Sequence, residues 1–393
     1  MNVRGVPVAT SAEYELGEYA FPRGWFAVAE GEQVTRAPLN VHYFGQDMVL
    51  YRGESGRVVM LDAYCPHMGT HIGKCRNSAT VLNGTFLEGD SIRCPFHAWR
   101  FGPDGRCDHI PYFNGPIPEK ARLKSWPVEE RWGIVFCWHD PEDQAPDFPL
   151  PEIPEWDDPR FVRWHGLDHV ADLHHPVEVF DNESDGPHLE YLHGAGKLQA
   201  YENEVDGHLY HQRETLIEGF SSTEESKVLM GDSSGVGHES GADRSPALRT
   251  MTTVGAYHGT GLMLARFVEA NGVQLLCITP VNDGECRVMS AAMLRSPTGN
   301  TDPATDEQIR RTYAGLLVEG LRRDGEVWLN KKPALQILQL PTDGPFGHGR
   351  RWYSQFFNPR EKAAAILKNS TGRHTIRGIQ PWSESEHARM VNG

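Results

Sequence analysis

Short apolar runs recur along residues 22–140: GWFAVAE (24–30), DMVLYR (47–52), RVVMLDAY (57–64), SIRCPFH (91–97) and WGIVFCWH (132–139). Gly, Asp and Asn turns separate them, the pattern of an all-β domain of short strands. Residues 1–21 precede this pattern as an N-terminal arm. The stretch 141–160, within DPEDQAPDFPLPEIPEWDDPR, is too rich in proline for a regular helix or a central strand and reads as a domain junction. Residues 161–393 mix both periodicities. VQLLCITPV (273–281) and CRVMSAAML (286–294) predict strands, and 304–332 predicts a helix with Ile309, Tyr313, Leu316, Leu317 and Leu321 on one face. Residues 219–248, rich in Ser, Gly and charge, predict a mobile loop or flap. No repeat of solenoid length is evident.

Composition narrows the function classes. Apolar residues make up 39% of the 393, and 40 glycines bring the total to that of an ordinary globular chain, so wholesale disorder is excluded. A net charge of -15 opposes phosphate backbones and anionic lipid, which argues against nucleic acid and membrane surfaces as partners. No apolar run is long enough to span a bilayer, and the first residues carry no apolar signal core, so the chain reads as cytoplasmic. Seven cysteines, odd in number and sparse, do not suggest a disulfide framework. Cysteine near histidine suggests metal chemistry instead.

Two motifs carry that chemistry in the β-rich part. Cys65-Pro66-His67 and Cys94-Pro95-Phe96-His97 each supply one thiolate and one imidazole, with 26 residues between His67 and Cys94. Mixed pairs of this kind suit two irons, both cysteines on one and both histidines on the other, which is the ligation of a Rieske [2Fe–2S] centre. A structural Cys₂His₂ zinc site is the competing account, although zinc motifs usually pair like ligands at short spacing. Gly69 and the prolines after each cysteine leave room for backbone N–H groups to approach sulfur. The other five cysteines read as buried small hydrophobes.

The second constellation runs from Asp181 to Gly194. His188 and His193 are five apart, so they share a helix face only if the helix bends, bulges or ends, and Gly194 is a good stop. With one carboxylate they form a 2-His-1-carboxylate triad suited to non-haem Fe(II) and dioxygen. Candidates for the carboxylate are Asp324, Glu326 and Asp343. Asp324, read as the end of a helical segment ahead of Trp328, is preferred, and Glu326 is the reserve. Asp185 precedes His188 by three residues. Its carboxylate can accept a hydrogen bond from a ligand histidine or from a Rieske histidine of a neighbouring subunit, or it can cap a helix opening at Gly186-Pro187.

Taken together, Cys65-Pro-His, Cys94-Pro-Phe-His-Ala-Trp and Asn182-x-x-Asp185-x-x-His188-x₄-His193 resemble the terminal oxygenase subunits of Rieske non-haem iron oxygenases. Within them the chain is most similar to the oxygenase components of 3-ketosteroid 9α-hydroxylases, through CPHMGT, LEGDSIRCPFHAWRFGPDGRC, GIVFCWHDPE and DGEVWLNKK. The resemblance implies an α+β chain, with an all-β Rieske domain at 22–140 and a helix-grip (START-like) catalytic domain with an antiparallel sheet at 161–393. It implies a [2Fe–2S] cluster on Cys65, His67, Cys94 and His97. It also implies a mononuclear Fe(II) on His188, His193 and Asp324, with Asp185 and Asn182 as further site residues. Asp185 would bridge electrons between subunits of a homotrimer. The implied partners are an NAD(P)H-dependent flavin/iron–sulfur reductase, O₂ and a small hydrophobic ring substrate, most simply a 3-ketosteroid. Aromatic hydroxylation or O-demethylation is the alternative within the family, and a non-catalytic electron carrier the alternative outside it. No dinucleotide fingerprint is visible, which leaves nicotinamide chemistry to the reductase. Gly186-Pro187 departs from the family's apolar ligand helix, as does Glu190, and proline is expected to kink any continuous helix there.

Overall fold

The alternation of apolar and polar positions produces sheets in both halves of the chain. The computed structural model describes residues 8–217, 250–296 and 303–385, so the Ser/Gly-rich stretch 219–248 lies outside the described residues. The described chain divides into two compact units. One comprises Trp25–Asp147 with Thr279–Asn282, and the other comprises Phe148–Ile278, Asp283 onward and the residues up to Gly24.

The first unit is built from short strands: β1 (Gly24–Glu30), β2 (Leu39–Tyr43), β3 (Gln46–Arg52), β4 (Val58–Asp62), β5 (Leu87–Glu88), β6 (Ser91–Arg93), β7 (Arg100–Phe101), β8 (Cys107–His109), β9 (Ser125–Trp126), β10 (Val128–Arg131) and β11 (Ile134–His139). They form three small sheets, ordered β1-β11-β10, β2-β3-β4-β9 and β5-β6-β7-β8. Val49, Leu61, Ile92 and Phe101 fill the core between two of these sheets, and Cys65 and Cys94 lie on it. The run SIRCPFH is a strand only through Arg93. The Cys94 N–H is taken by the Trp99 carbonyl and Pro95 has no N–H, so the ladder stops and the chain turns.

In the second unit the strands are β12 (Phe161–Val162), β13 (Asp168–Leu173), β14 (Lys197–Asp206), β15 (Leu209–Ile217), β16 (Thr250–His258), β17 (Leu262–Phe267), β18 (Gly272–Asn282), β19 (Glu285–Arg295) and β20 (Gly372–His374). They make one nine-stranded sheet ordered β12-β19-β18-β17-β16-β15-β14-β20, with β13 also paired to β19. Pairing is antiparallel, as between Tyr201 and Glu214 or Glu214 and Thr253. The long helix Pro303–Asn330 lies along this sheet, with Tyr313, Ala314 and Leu317 packed on Ala292. This is the α+β arrangement of sheet and gripping helix that the sequence implies. The helix does not end at Asp324. It runs on to Asn330, because Gly325 passes Ala171 as a close-packed residue rather than as a stop.

One aromatic cluster anchors the turn that leads to the site. The Phe180 ring lies 5.1 Å from Tyr210, 5.1 Å from Tyr257, 5.4 Å from Trp352 and 4.8 Å from Tyr353. The next residue, Asp181, is buried and held by both arms of the Arg350 guanidinium at 2.9 and 2.5 Å. Such a fork fixes position as well as charge. Phe180→Ala is expected to destabilise the second unit by about 3–5 kcal/mol, the usual result of emptying a buried phenyl site, as measured by denaturant unfolding.

Candidate metal centres

The first centre is a pair of matched loops. The carbonyl of Cys65 accepts from Gly69 N–H, and that of Cys94 from Ala98 N–H. Each cysteine N–H donates one residue further on, to the carbonyls of Thr70 and Trp99. Gly69 and Ala98 both take positive φ, +72° and +57°, which closes each turn tightly. The loops bring Cys65 and Cys94, each 2% exposed, into hydrogen-bond contact through their sulfurs. The hydrogen bond between the sulfurs raises the Cys65 thiol and lowers that of Cys94, helped by N–H groups of Phe96 and His97 aimed at its sulfur. His67 lies stacked on Trp99 with ring centroids 4.5 Å apart, and its ring is 4.8 Å from that of His97.

This geometry separates the two accounts of the motif. Tetrahedral zinc, with ligands at about 2.0–2.3 Å, needs four donors gathered on one point. Among the described residues no three of these four donors lie within 4.8 Å of one another. Paired cysteines and paired histidines standing apart fit a two-iron cluster, and N–H groups directed at sulfur fit its charge. Of the remaining cysteines, Cys107, Cys137, Cys277 and Cys286 are buried, while Cys75 is exposed, contrary to its reading as a small hydrophobe.

The second centre starts where one helix stops and another begins. A 3₁₀ turn, Asp181–Ser184, ends at Asp185, and the ligand helix Gly186–Tyr191 follows. Pro187 sits in the first turn of that helix, where no N–H is required, so it opens the helix instead of kinking it. Gly186 has no room for a side chain, since a Cβ there would reach 2.6 Å from Leu198 and 2.9 Å from Ile376. At the other end the turns widen: His193 N–H reaches the His188 carbonyl, and Gly194, at φ +66°, closes the helix. This five-residue bond is the local π-type turn that lets two histidines five apart converge.

From the long helix, Asp324 meets them. His193 Nε2 lies 3.2 Å and His188 Nε2 4.0 Å from Asp324 Oδ1, and the two imidazole centroids are 5.3 Å apart. His188, His193 and Asp324 are the three donors that close within 4.8 Å among the described residues. Glu326 is exposed and Asp343 accepts from Leu340 N–H in a surface turn, so neither competes. Asn182 donates to Asp324 Oδ1 at 3.2 Å. The Asp185 carboxylate makes no cap, and it is the Asp185 backbone carbonyl that meets His188 Nδ1. A proton on Nδ1 leaves the Nε2 lone pair facing Asp324. Burial pushes His188 below the ordinary imidazole value, which keeps it neutral and able to ligate.

The three donors border a cavity. Alternate residues of the sheet form its floor, among them Met251 and Thr253, Met263 and Ala265, while Leu317, Leu321 and Trp328 come from the long helix. Two further polar residues in it, Glu183 and Glu214, were not singled out from the sequence. Period-two reading of β15 carries the signal, since Gln212 and Glu214 fall on one face with the buried Tyr210 and Leu216. Burial pushes Glu183 up to about 8 and Glu214 up to about 7.

Comparison with known proteins agrees with this geometry. Residues 24–127 match the Rieske [2Fe-2S] domain, and residues 137–357 match the 3-ketosteroid 9alpha-hydroxylase C-terminal domain. A probable 3-ketosteroid-9-alpha-monooxygenase oxygenase component of Rhodococcus rhodochrous is 30% identical, the alignment covering 100% of this chain and 93% of that protein. The corresponding oxygenase component of Mycolicibacterium smegmatis is 28% identical over 92% of this chain and 90% of its own length. The crystal structure of dicamba monooxygenase bound to dicamba superposes with a TM-score of 0.60 at 19% identity, covering 88% of this chain and 97% of that one. With two thiolate–imidazole loops in one unit and a converging His-His-Asp set in the other, the chain belongs to the Rieske oxygenases, in the family of 3-ketosteroid 9α-hydroxylase oxygenase components.

Proposed function

We propose that this Rieske monooxygenase hydroxylates a 3-ketosteroid at the 9α position, in steroid degradation. The observation that carries the reading is the convergence of His188, His193 and Asp324 on the edge of a largely apolar cavity. The names of the relatives supply the substrate class. When bound, the [2Fe–2S] cluster delivers single electrons and a ferrous ion activates dioxygen for C–H hydroxylation, with a separate reductase as the electron source. Cys65, Cys94, His67 and His97 would hold the cluster, and His188, His193 and Asp324 would hold the ferrous ion at the edge of the cavity. Asn182 orients the Asp324 carboxylate and the Asp185 carbonyl fixes the His188 tautomer. The apolar floor excludes water and packs the ring skeleton.

Asp185 bridges a neighbouring subunit's cluster to this iron in a homotrimer. Its half-buried carboxylate caps no helix and lies three residues before His188, which suits it to that contact. Next in sequence to His67 and His97, Met68 is 65% and Phe96 58% exposed, apolar side chains of the kind that a docked subunit covers. No helix among the described residues is long and apolar enough to cross a membrane. None of the seven cysteines is joined in a disulfide.

Mass spectrometry of products from the reductase-coupled protein, offered steroids and methoxylated aromatics, tests the assignment. A 9α-hydroxysteroid is expected, and turnover confined to aromatics overturns it. Asp324→Ala is expected to lose the mononuclear iron and keep the cluster absorbance, whereas Glu326→Ala keeps three irons per chain by metal analysis. Asn182→Ala is expected to weaken iron binding about 10–100-fold, measured by chelator competition. Asp185→Ala should retain both centres and lose nearly all turnover, and retained turnover would remove its bridging role.

A further inference from the structure

Glu183 and Glu214 are not used by the metal chemistry. Glu183 follows Asn182 on the turn and Glu214 lies on β15, yet both line the same cavity as His188, His193 and Asp324. They are 5% and 3% exposed, and the Oε2 of each, buried, meets no hydrogen-bond partner. Their positions are fixed. Tyr201 Oη, Asn203 Nδ2 and Gln212 Nε2 all donate to the Glu183 carbonyl, the latter two at 3.1 and 3.2 Å, and Thr253 hydrogen-bonds the Glu214 side chain.

The iron site shares this cavity, through His188, His193 and Asp324. Glu183 feels Glu214, and His193 is the imidazole that acts on Glu214. Tyr201, Tyr210 and Tyr257 are further titratable neighbours, all three phenols held neutral by burial. Among the described residues no lysine or arginine acts on either carboxyl. A carboxylate with no lysine or arginine beside it is disfavoured by burial, which holds the proton on. A carboxylic acid then offers an O–H donor and a carbonyl acceptor. A donor left unmatched in such a place is satisfied by a ligand oxygen.

We propose that Glu183 and Glu214 form a polar anchor that, as uncharged acids, hydrogen-bonds a carbonyl or hydroxyl oxygen of a neutral ring ligand and discriminates against carboxylate-bearing ones. An aromatic acid would bring an anion to a wall where no lysine or arginine pairs with it among the described residues. A neutral ketone or alcohol meets a donor instead, and sites that depend on such a bond reject analogues lacking it. The assignment rests on the cavity being the substrate site of the monooxygenase.

The test is equilibrium binding of progesterone, a neutral 3-ketosteroid, to the metal-loaded protein between about pH 6 and 9, alongside infrared difference spectra of the carboxyl stretch. An acid is neutral below its titration, so binding is tightest at low pH and weakens as pH rises through the range of about 7 to 8 where the pair ionises. A loss of about tenfold is expected across that range in the wild type. E183Q/E214Q keeps donors without a charge, so its affinity should not vary with pH and its infrared carboxylic-acid band should disappear. E183L/E214L should weaken binding about tenfold at low pH with iron content unchanged. The aromatic acid 4-methoxybenzoate should bind none of them well. Wild-type affinity independent of pH, a pH dependence that survives in E183Q/E214Q, tight binding of 4-methoxybenzoate to the wild type, or leucine variants that bind as tightly as wild type would overturn the anchor. So would an infrared spectrum showing both carboxyls ionised at low pH. Should progesterone fail at every pH while neutral 1-tetralone binds with the expected profile, the steroid assignment falls and the anchor stands.

Discussion

A carboxylate withdrawn from water beside two imidazoles is a place that favours a cation. Asp324 is 4% exposed, His188 is kept neutral by burial, and both Asn182 Nδ2 and His193 Nε2 lie 3.2 Å from Asp324 Oδ1. A divalent cation on the three donors, as proposed, would bring positive charge there, and the rest of the local architecture serves that arrangement. The His188 proton must lie on Nδ1, which is why a carbonyl sits opposite it. The Asp181 anchor to Arg350 holds still the turn from which Asn182 reaches Asp324. Helix starts and ends, rather than a straight helix, carry the ligands, because only a break lets side chains from two short segments meet one from a long helix.

Much of this was legible in the residues, and the reasons differ from place to place. The Cys-Pro-His and Cys-Pro-Phe-His loops are local: each closes with bonds inside six residues, so their order along the chain nearly determines their shape. Gly194 was readable as a stop because a left-handed residue is glycine's usual place. Asp324 over Glu326 follows from helical period, since Leu317, Leu321, Asp324 and Trp328 share a face and Glu326 points away. Misreadings arose where tertiary packing decides. Asp324 looks like the end of a helical segment, but Gly325 after it lies against Ala171 inside a continuing helix. Gly186-Pro187 looks like a kink, and is the opening of a helix whose predecessor had already ended. No local signal shows that the Asp185 carbonyl, not its carboxylate, turns toward His188.

The cavity holds three carboxyls in two settings, and low dielectric bears on both. Where His188, His193 and Asp324 converge, a bound cation would balance a carboxylate. Where no lysine or arginine is within reach among the described residues, burial favours the protonated form of Glu183 and Glu214. The same burial that makes charge costly makes a neutral hydrogen bond strong. That combination suits a ligand that is mostly ring skeleton. Dispersion against Met251, Met263 and Leu317 holds such a skeleton but distinguishes poorly between its possible slides and rotations, because one methylene resembles the next. Selecting one C–H bond requires register, and register needs a directional contact away from the metal. A donor pair of which Glu183 stands on the turn that also carries Asn182 ties the ligand's polar oxygen to the segment that orients Asp324, so the distance from anchor to reacting carbon is set by the protein and not by the fit of the apolar walls.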